Sequence, residues 1–288
     1  MKKNISLFFI LSLLFFSCAT GNSVSKLYSE NDRAHNFKTA EEVKPQWEAL
    51  TEYSERFDFT VENPKAVCHA FKIDLTNPAL CIFPYPGVTD SKLKQGSVKA
   101  KNFACDMDIV INTVPFAQKI KALSPKKPAG IVYAYGQKKS EPVDGYCAFY
   151  VYKNDKSYFC KIEQNQTPFS NDGDRSLVLV HGGFWQIIKD GQHINFKDIK
   201  DSRTAVGISK DNKHLYILIV EGERKSQSQG LSYGECALIF DGFGAFNAMQ
   251  FDGGSSTTLY VKGKNALSYP KNPSLPGFLG FSTGKFDK

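Results

Sequence analysis

Apolar residues along most of this chain come in short runs punctuated by Gly, Pro, Asn and Asp, the pattern of strands and turns rather than of long helices. Residues 67–83 read as strand, turn, strand, with Asn77-Pro78 in the turn. Residues 97–105 have helical spacing and lead into Met107-Asp108-Ile109-Val110-Ile111, a buried strand that delivers Asn112 and is stopped by Pro115. Residues 130–135 form the next strand, followed by a hairpin that turns at Lys153-Asn154-Asp155-Lys156. The run 177–180 ends in His181-Gly182-Gly183-Phe184-Trp185, and residues 186–191 add a strand with an Asp-Gly turn. Residues 203–209 and 214–220 form a hairpin whose second strand ends at Glu221-Gly222. Ser232-Tyr233-Gly234-Glu235 is a capping box that opens a helix, so Glu235 is accounted for by the cap. A last strand, 245–251, runs into Asp252-Gly253-Gly254-Ser255-Ser256-Thr257-Thr258. Hairpins and a few helices in mixed order predict an α+β fold, a single domain with a mixed, largely antiparallel sheet and a few packed helices.

The N-terminus breaks this pattern. Lys2 and Lys3 precede an apolar stretch, 5–16, that is too short to span a bilayer and matches a secretory signal. Ser17-Cys18 resembles a bacterial lipoprotein cleavage box, in which Cys18 becomes the lipidated N-terminus. An ordinary cleaved signal ending near Ala19-Thr20 is the alternative. The expected organisation is a signal peptide over 1–17, a lipidated flexible tether over 18–46, and one domain over 47–288. The protein is then an exported, envelope-anchored lipoprotein on the periplasmic face or cell surface, touching membrane through its lipid alone.

Charge narrows the partners. The formal net charge is +7, and loss of Lys2 and Lys3 leaves +5 (7 − 2). The lysines are scattered, with no basic stripe, so a nucleic-acid partner is not expected. Seven cysteines less Cys18 leave six. Cys68 with Cys81, and Cys147 with Cys160, flank probable hairpins and are either cross-strand disulfides or buried thiols; spacing alone does not fix the connectivity. No CxxC pair or histidine cluster stands at metal-ligand spacing, so neither metal nor other cofactor is expected.

The chemistry centres on Asp252-Gly253-Gly254-Ser255-Ser256. Adjacent glycines admit close approach to the backbone, and consecutive serines offer hydroxyls and N–H groups to an anion. Taken alone, the stretch is equally a turn between strands. Arg203 at a strand start suits bidentate binding of phosphate or carboxylate, against a surface pairing with Asp201 or Asp198. Asn112 and Glu221 each stand at a strand end, and the Gly182-Gly183 pair again permits close approach.

These segments, in this order, resemble the phosphodiester glycosidase family, which includes the lysosomal uncovering enzyme and exported bacterial proteins associated with exopolysaccharide. The resemblance rests on Ile73-Asp74-Leu75 with Asn77-Pro78, Gly182-Gly183 through Asp190-Gly191, Arg203-Thr204-Ala205-Val206-Gly207, Gly230-Leu231-Ser232, and Asp252-Gly253-Gly254-Ser255-Ser256-Thr257. There are departures. Thr113-Val114-Pro115-Phe116 replaces the family's glycines after the strand-end asparagine, Glu221-Gly222 replaces an Asp-Gly, and residues 273–276 lack the family's C-terminal basic residue. The resemblance implies a hydrolase for a glycosyl-phosphate linkage in envelope or extracellular polysaccharide, or else a phosphoglycan-binding protein on the same scaffold. Asp252 is the first catalytic carboxylate and Glu221 the second. Asn112, Arg203, Thr204, Gly182, Gly183, Gly253, Gly254, Ser255 and Ser256 are the expected substrate-binding residues. Arg203 and the 253–256 amides would hold the phosphate, and Asn112 a sugar hydroxyl. Phe184 and Trp185 are either sugar-stacking residues or a buried aromatic pair.

Overall fold

A computed structural model describes residues 35–87, 96–118, 124–164, 166, 168 and 170–283. The expected signal segment and Cys18 lie outside the described residues. The large sheet is centred on the hairpin Arg203–Ser209 and His214–Val220. Ala245–Gln250 pairs with the first of these strands and Lys65–Asp74 with the second, both antiparallel. Alternation along the central strands explains the layering. Tyr216, Leu218 and Val220 face the helix Tyr233–Phe243, whereas Leu215, Ile217 and Ile219 face two smaller sheets. Because both faces are covered, these strands read in sequence as unbroken apolar runs.

One smaller sheet carries the hairpin Cys147–Lys153 and Tyr158–Gln164, with Arg175–Gly182 beside it. The other places Ile109–Asn112 between Leu259–Val261 and Phe278–Ser282. The expected mixed, largely antiparallel architecture is observed, with strand predominating. The α-helices among the described residues are Ala100–Phe103 and Tyr233–Phe243. The longer one has the predicted capping box, with Ser232 accepting from the Glu235 N–H, and ends at left-handed Gly244.

Three expectations need correction. The tether does not extend to residue 46, because Asn36–Phe37 pairs in parallel with the strand Ser54–Glu62, and Ala40 and Val43 are buried under the helix. The 67–83 segment is not a hairpin: its second half, Cys81–Tyr85, joins the sheet of Phe278–Ser282 instead. Finally, of the two alternatives for the cysteines, the cross-strand disulfides Cys68–Cys81 and Cys147–Cys160 are not formed. Cys160 faces Val151 across its hairpin, while Cys147 faces Gln164. A four-residue offset is roughly 13 Å of strand, beyond disulfide reach.

Candidate active site

Three chain segments converge where the strands Ile109–Asn112, Arg203–Ser209 and Ala245–Gln250 approach one another. Asn112 fastens them. Its amide Nδ2 donates to the Asp252 carbonyl at 2.7 Å. Its Oδ1 accepts from the Thr204 hydroxyl at 2.7 Å and the Thr258 N–H at 3.0 Å. Asn112 and Thr204 are both fully buried. Their expected role in binding substrate therefore gives way to positioning: an asparagine at a strand end here ties three elements together. The Asp252 N–H donates to the Thr113 carbonyl at 2.8 Å, so the departure at 113–114 sits directly behind the carboxylate. The Thr113 and Val114 side chains are buried and do not line the cavity. Thr113 Oγ1 meets His181 Nδ1 at 2.8 Å, and burial pushes the His181 pKa down to about 3, which keeps this backing layer neutral.

In front of the junction lies a cavity of about 470 Å³ lined by Phe116, Phe184, Asp201, Arg203, Tyr233, Asp252, Gly253, Gly254, Ser255 and Ser256. Burial raises the Asp252 pKa to about 6, against the opposing pull of the Ser256 side chain, the Lys126 charge and the Gly253 N–H. Gly254 turns the chain at φ +55°, and a Cβ there would lie 3.3 Å from Asp201 Oδ2. The Asp201 carboxylate thus stands against the Asp252 loop, and the cavity holds two carboxylates.

Two cations flank them, each over an aromatic ring that lines the cavity. The Arg203 guanidinium lies 4.3 Å from the Tyr233 ring centroid, and Lys126 Nζ lies 4.4 Å from that of Phe116. Arg203 Nε donates to the Leu231 carbonyl at 2.8 Å and Nη2 to that of Ile199. Lys126 Nζ donates to the Ser274 carbonyl at 2.7 Å. This lysine from the 124–130 segment thereby brings a positive charge to the 273–276 stretch, which has no basic residue of its own.

Other expected binding groups do something else. The Gly254 N–H donates to Ser202 O and the Ser256 N–H to Gly253 O. The Gly253 N–H and the Ser256 side chain serve the Asp252 carboxylate. The last two orient Asp252, while Ser255 lines the cavity. Gly182 and Gly183 do not line the cavity; a Cβ on Gly183 would come within 2.5 Å of Gln250 O, so that glycine lets two strands approach.

Glu221 moves furthest from expectation. It is buried outside the cavity lining. Its carboxylate accepts from His69 Nε2 at 2.9 Å, the Ser268 N–H at 2.8 Å and the Ser268 hydroxyl. His69 Nδ1 meets Asp58 at 2.9 Å. Burial alone would raise the Glu221 pKa, but the His69 and Ser268 contacts outweigh it and hold the pKa low. A carboxylate so enclosed is structural, and Asp201 takes its place as the second acidic group in the cavity.

The family model for phosphodiester glycosidases matches residues 107–280, a stretch that contains Asn112, Lys126, Asp201, Arg203 and Asp252. This chain belongs to the phosphodiester glycosidase family. Solved structures share the family's fold at low identity. The catalytic domain of zebrafish N-acetylglucosamine-1-phosphodiester alpha-N-acetylglucosaminidase, auto-inhibited by its pro-peptide, is 15% identical with a TM-score of 0.61, over 83% of this chain and 88% of that one. A hypothetical protein from Synechocystis is 14% identical with a TM-score of 0.55, over 83% of this chain and only 64% of its own length. A Burkholderia pseudomallei protein is 10% identical with a TM-score of 0.60, over 76% of this chain and 74% of that one. No curated protein matches the chain significantly.

Asp201, Tyr233 and Phe116 line the cavity and Lys126 lies over the Phe116 ring, and sequence reasoning passed over all four. Asp201 has a signal, two residues before Arg203, but in sequence it stands only, with Asp198, as an alternative surface partner for that arginine. Arg203 makes no ion pair among the described residues and instead uses main-chain carbonyls. Lys126 had none, since it reaches the site from a Lys-Pro-rich segment distant in sequence.

Proposed function

We propose that this phosphodiester glycosidase hydrolyses a glycosyl-phosphate linkage, of the kind found in N-acetylglucosamine-1-phosphodiesters, in an envelope or extracellular polysaccharide. The observation that carries this reading is one cavity holding two carboxylates, Asp201 and Asp252, between two aromatic-backed cations, Arg203 and Lys126. In the reaction the bond from the anomeric carbon to the phosphate oxygen breaks. Its electrons leave with the phosphate, and water supplies a hydroxyl to the carbon. The leaving phosphomonoester is a weak base, so it needs anchoring rather than a proton, and Arg203 and Lys126 provide positive charge already fixed in place. Positive charge developing on the sugar is stabilised by Asp201. Asp252, with a pKa near 6, is largely ionised at neutral pH yet more basic than an ordinary aspartate, which suits it to take the proton of the attacking water.

The N-terminal pattern, with its charged start, apolar centre and Ser17-Cys18, supports export and lipid anchoring at Cys18. That placement would bring the enzyme to its glycan; radiolabelled palmitate incorporation lost in Cys18→Ala tests it.

The reaction is tested by a screen of glycosyl-phosphate diesters with products read by mass spectrometry, wild type against Asp252→Asn. A released sugar and phosphomonoester, absent with the variant, is the expected result. Saturable binding without product would instead assign a phosphoglycan-binding role.

A further inference from the structure

Two rings of the cavity wall, Phe184 and Tyr233, belong to an aromatic series that continues outside it. Phe184 packs edge-on against Tyr146, with centroids 5.3 Å apart, and Tyr146 packs edge-on against Trp185, also at 5.3 Å. Trp185 lies 6.5 Å from Phe196, which meets Tyr233 at 5.2 Å and 90°. The series therefore leaves one wall of the cavity and returns to the other. All five rings are at least partly open to solvent, and Trp185 is 37% exposed. An arc of this kind needs a reason, because exposed aromatic surface beside a site is costly unless something covers it.

We propose that this arc is a subsite for a further sugar ring, so that the enzyme acts on a glycan chain rather than on an isolated sugar phosphodiester. The proposal rests on the glycosidase reading and extends it to the size of the substrate. Three of the four contacts are edge-to-face and the Trp185–Phe196 contact is tilted, so each ring is held by its neighbours while Trp185 stays exposed, able to take the C–H groups of a pyranose on its aromatic plane. Tyr and Trp also carry polar tips for the sugar's hydroxyls, at little conformational cost. The neighbouring charges argue against an anionic lipid surface as the occupant. Lys200 is paired with Asp198 at 2.8 Å and with Glu235 at 3.0 Å, and His193 contacts Asp241. These pairings offset the Lys200 and His193 charges that an anionic surface would otherwise meet beside Phe196 and Tyr233.

Binding can be read without turnover on the full chain carrying Asp252→Asn. The probes are an array of neutral and phosphate-bearing tetrasaccharides, each with its matching monosaccharide, and affinity follows from calorimetry and tryptophan fluorescence. At least one tetrasaccharide should bind roughly fivefold or more tighter than its monosaccharide, the scale of one aromatic stacking contact. Trp185→Ala should erase that preference, bringing the two ligands within about a factor of two, whereas Trp185→Phe, which keeps a ring and guards against misfolding, should retain part of it. Equal affinities for long and short ligands would overturn the proposal. So would a preference that survives Trp185→Ala, or vesicle binding through Trp185 in place of glycan binding. A tetrasaccharide preference in a protein that cleaves no phosphodiester would remove the hydrolase reading and leave the subsite; cleavage without the preference would do the reverse.

Discussion

Glu221 and Asp252 follow strands that flank the same central strand, Arg203–Ser209, and Glu221 is buried while Asp252 is half-buried. They nevertheless differ in kind. Glu221 is met by His69 and by both polar groups of Ser268, and its pKa falls. Among the described residues Asp252 has Ser256 and the Gly253 N–H as direct partners, faces a cavity, and has its pKa raised to about 6. A buried carboxylate that already accepts from three protein donors has little capacity left for a substrate. One that is half-buried beside a cavity, with fewer donors, is placed to take a proton. Position at a strand end does not separate these two cases; the donors around each oxygen do.

The sharpest way to break the comparison is to remove each charge. Asp252→Asn should lower kcat on a cleavable glycosyl phosphodiester about a thousandfold, within the usual range for losing a catalytic base. It should also raise stability. A folded-state pKa above the unfolded value contributes stability below about pH 4, and that contribution is lost as pH rises through about 6. The ionised side chain therefore costs on the order of 2 kcal/mol at pH 7.5, which Asn removes. Thermal melts should show the variant above wild type at pH 7.5 and the gap closing near pH 4. Asp201→Asn should cost about a hundredfold in kcat, as the loss of electrostatic stabilisation.

Glu221→Gln should behave in the opposite manner. Leaving protonated His69 without one of its carboxylates should destabilise the fold by about 3 kcal/mol, read by urea unfolding. Well below its melting temperature, the variant should keep kcat within about threefold of wild type, since Glu221 does not line the cavity. A thousandfold loss in a folded Glu221→Gln protein would return Glu221 to the catalytic group.

Much of this was legible in the chain and some was not, for physical reasons. Hairpins, the capped helix and the strand that delivers Asn112 follow from local alternation and turn chemistry, and the structure contains them. Asp252 with Arg203 was also legible, because both lie in motifs. What failed was pairing across sequence distance. Nothing near Cys81 says that its strand joins Phe278–Ser282 rather than its chain neighbour. Nothing in Glu221-Gly222 reveals His69, 152 residues away, on the adjacent strand. Asn112 has the composition of a binding residue and the environment of a structural one, a difference set by Thr204 and Thr258 closing on its Oδ1.

The smallest expected effect separates Lys126 as a tuner of Asp252 from Lys126 as a phosphate anchor. Its positive charge lowers the Asp252 pKa against the rise caused by burial. Its own pKa is held down, by desolvation first, with the Asp252 charge opposing. If Asp252 works ionised, kcat/KM falls as pH drops through about 6, and Lys126→Met should move that acidic limb upward because one opposing influence is gone. As an anchor, the lysine should also contribute to binding the anionic substrate. Its loss should raise KM roughly three- to tenfold at pH 8, where Asp252 is ionised in both proteins. Lys126→Arg keeps the charge over the Phe116 ring and should restore both the limb and KM. A raised KM with an unmoved limb would make Lys126 an anchor alone, and a limb that stays in place even in the cleanest profile would mean that Asp252 does not set it.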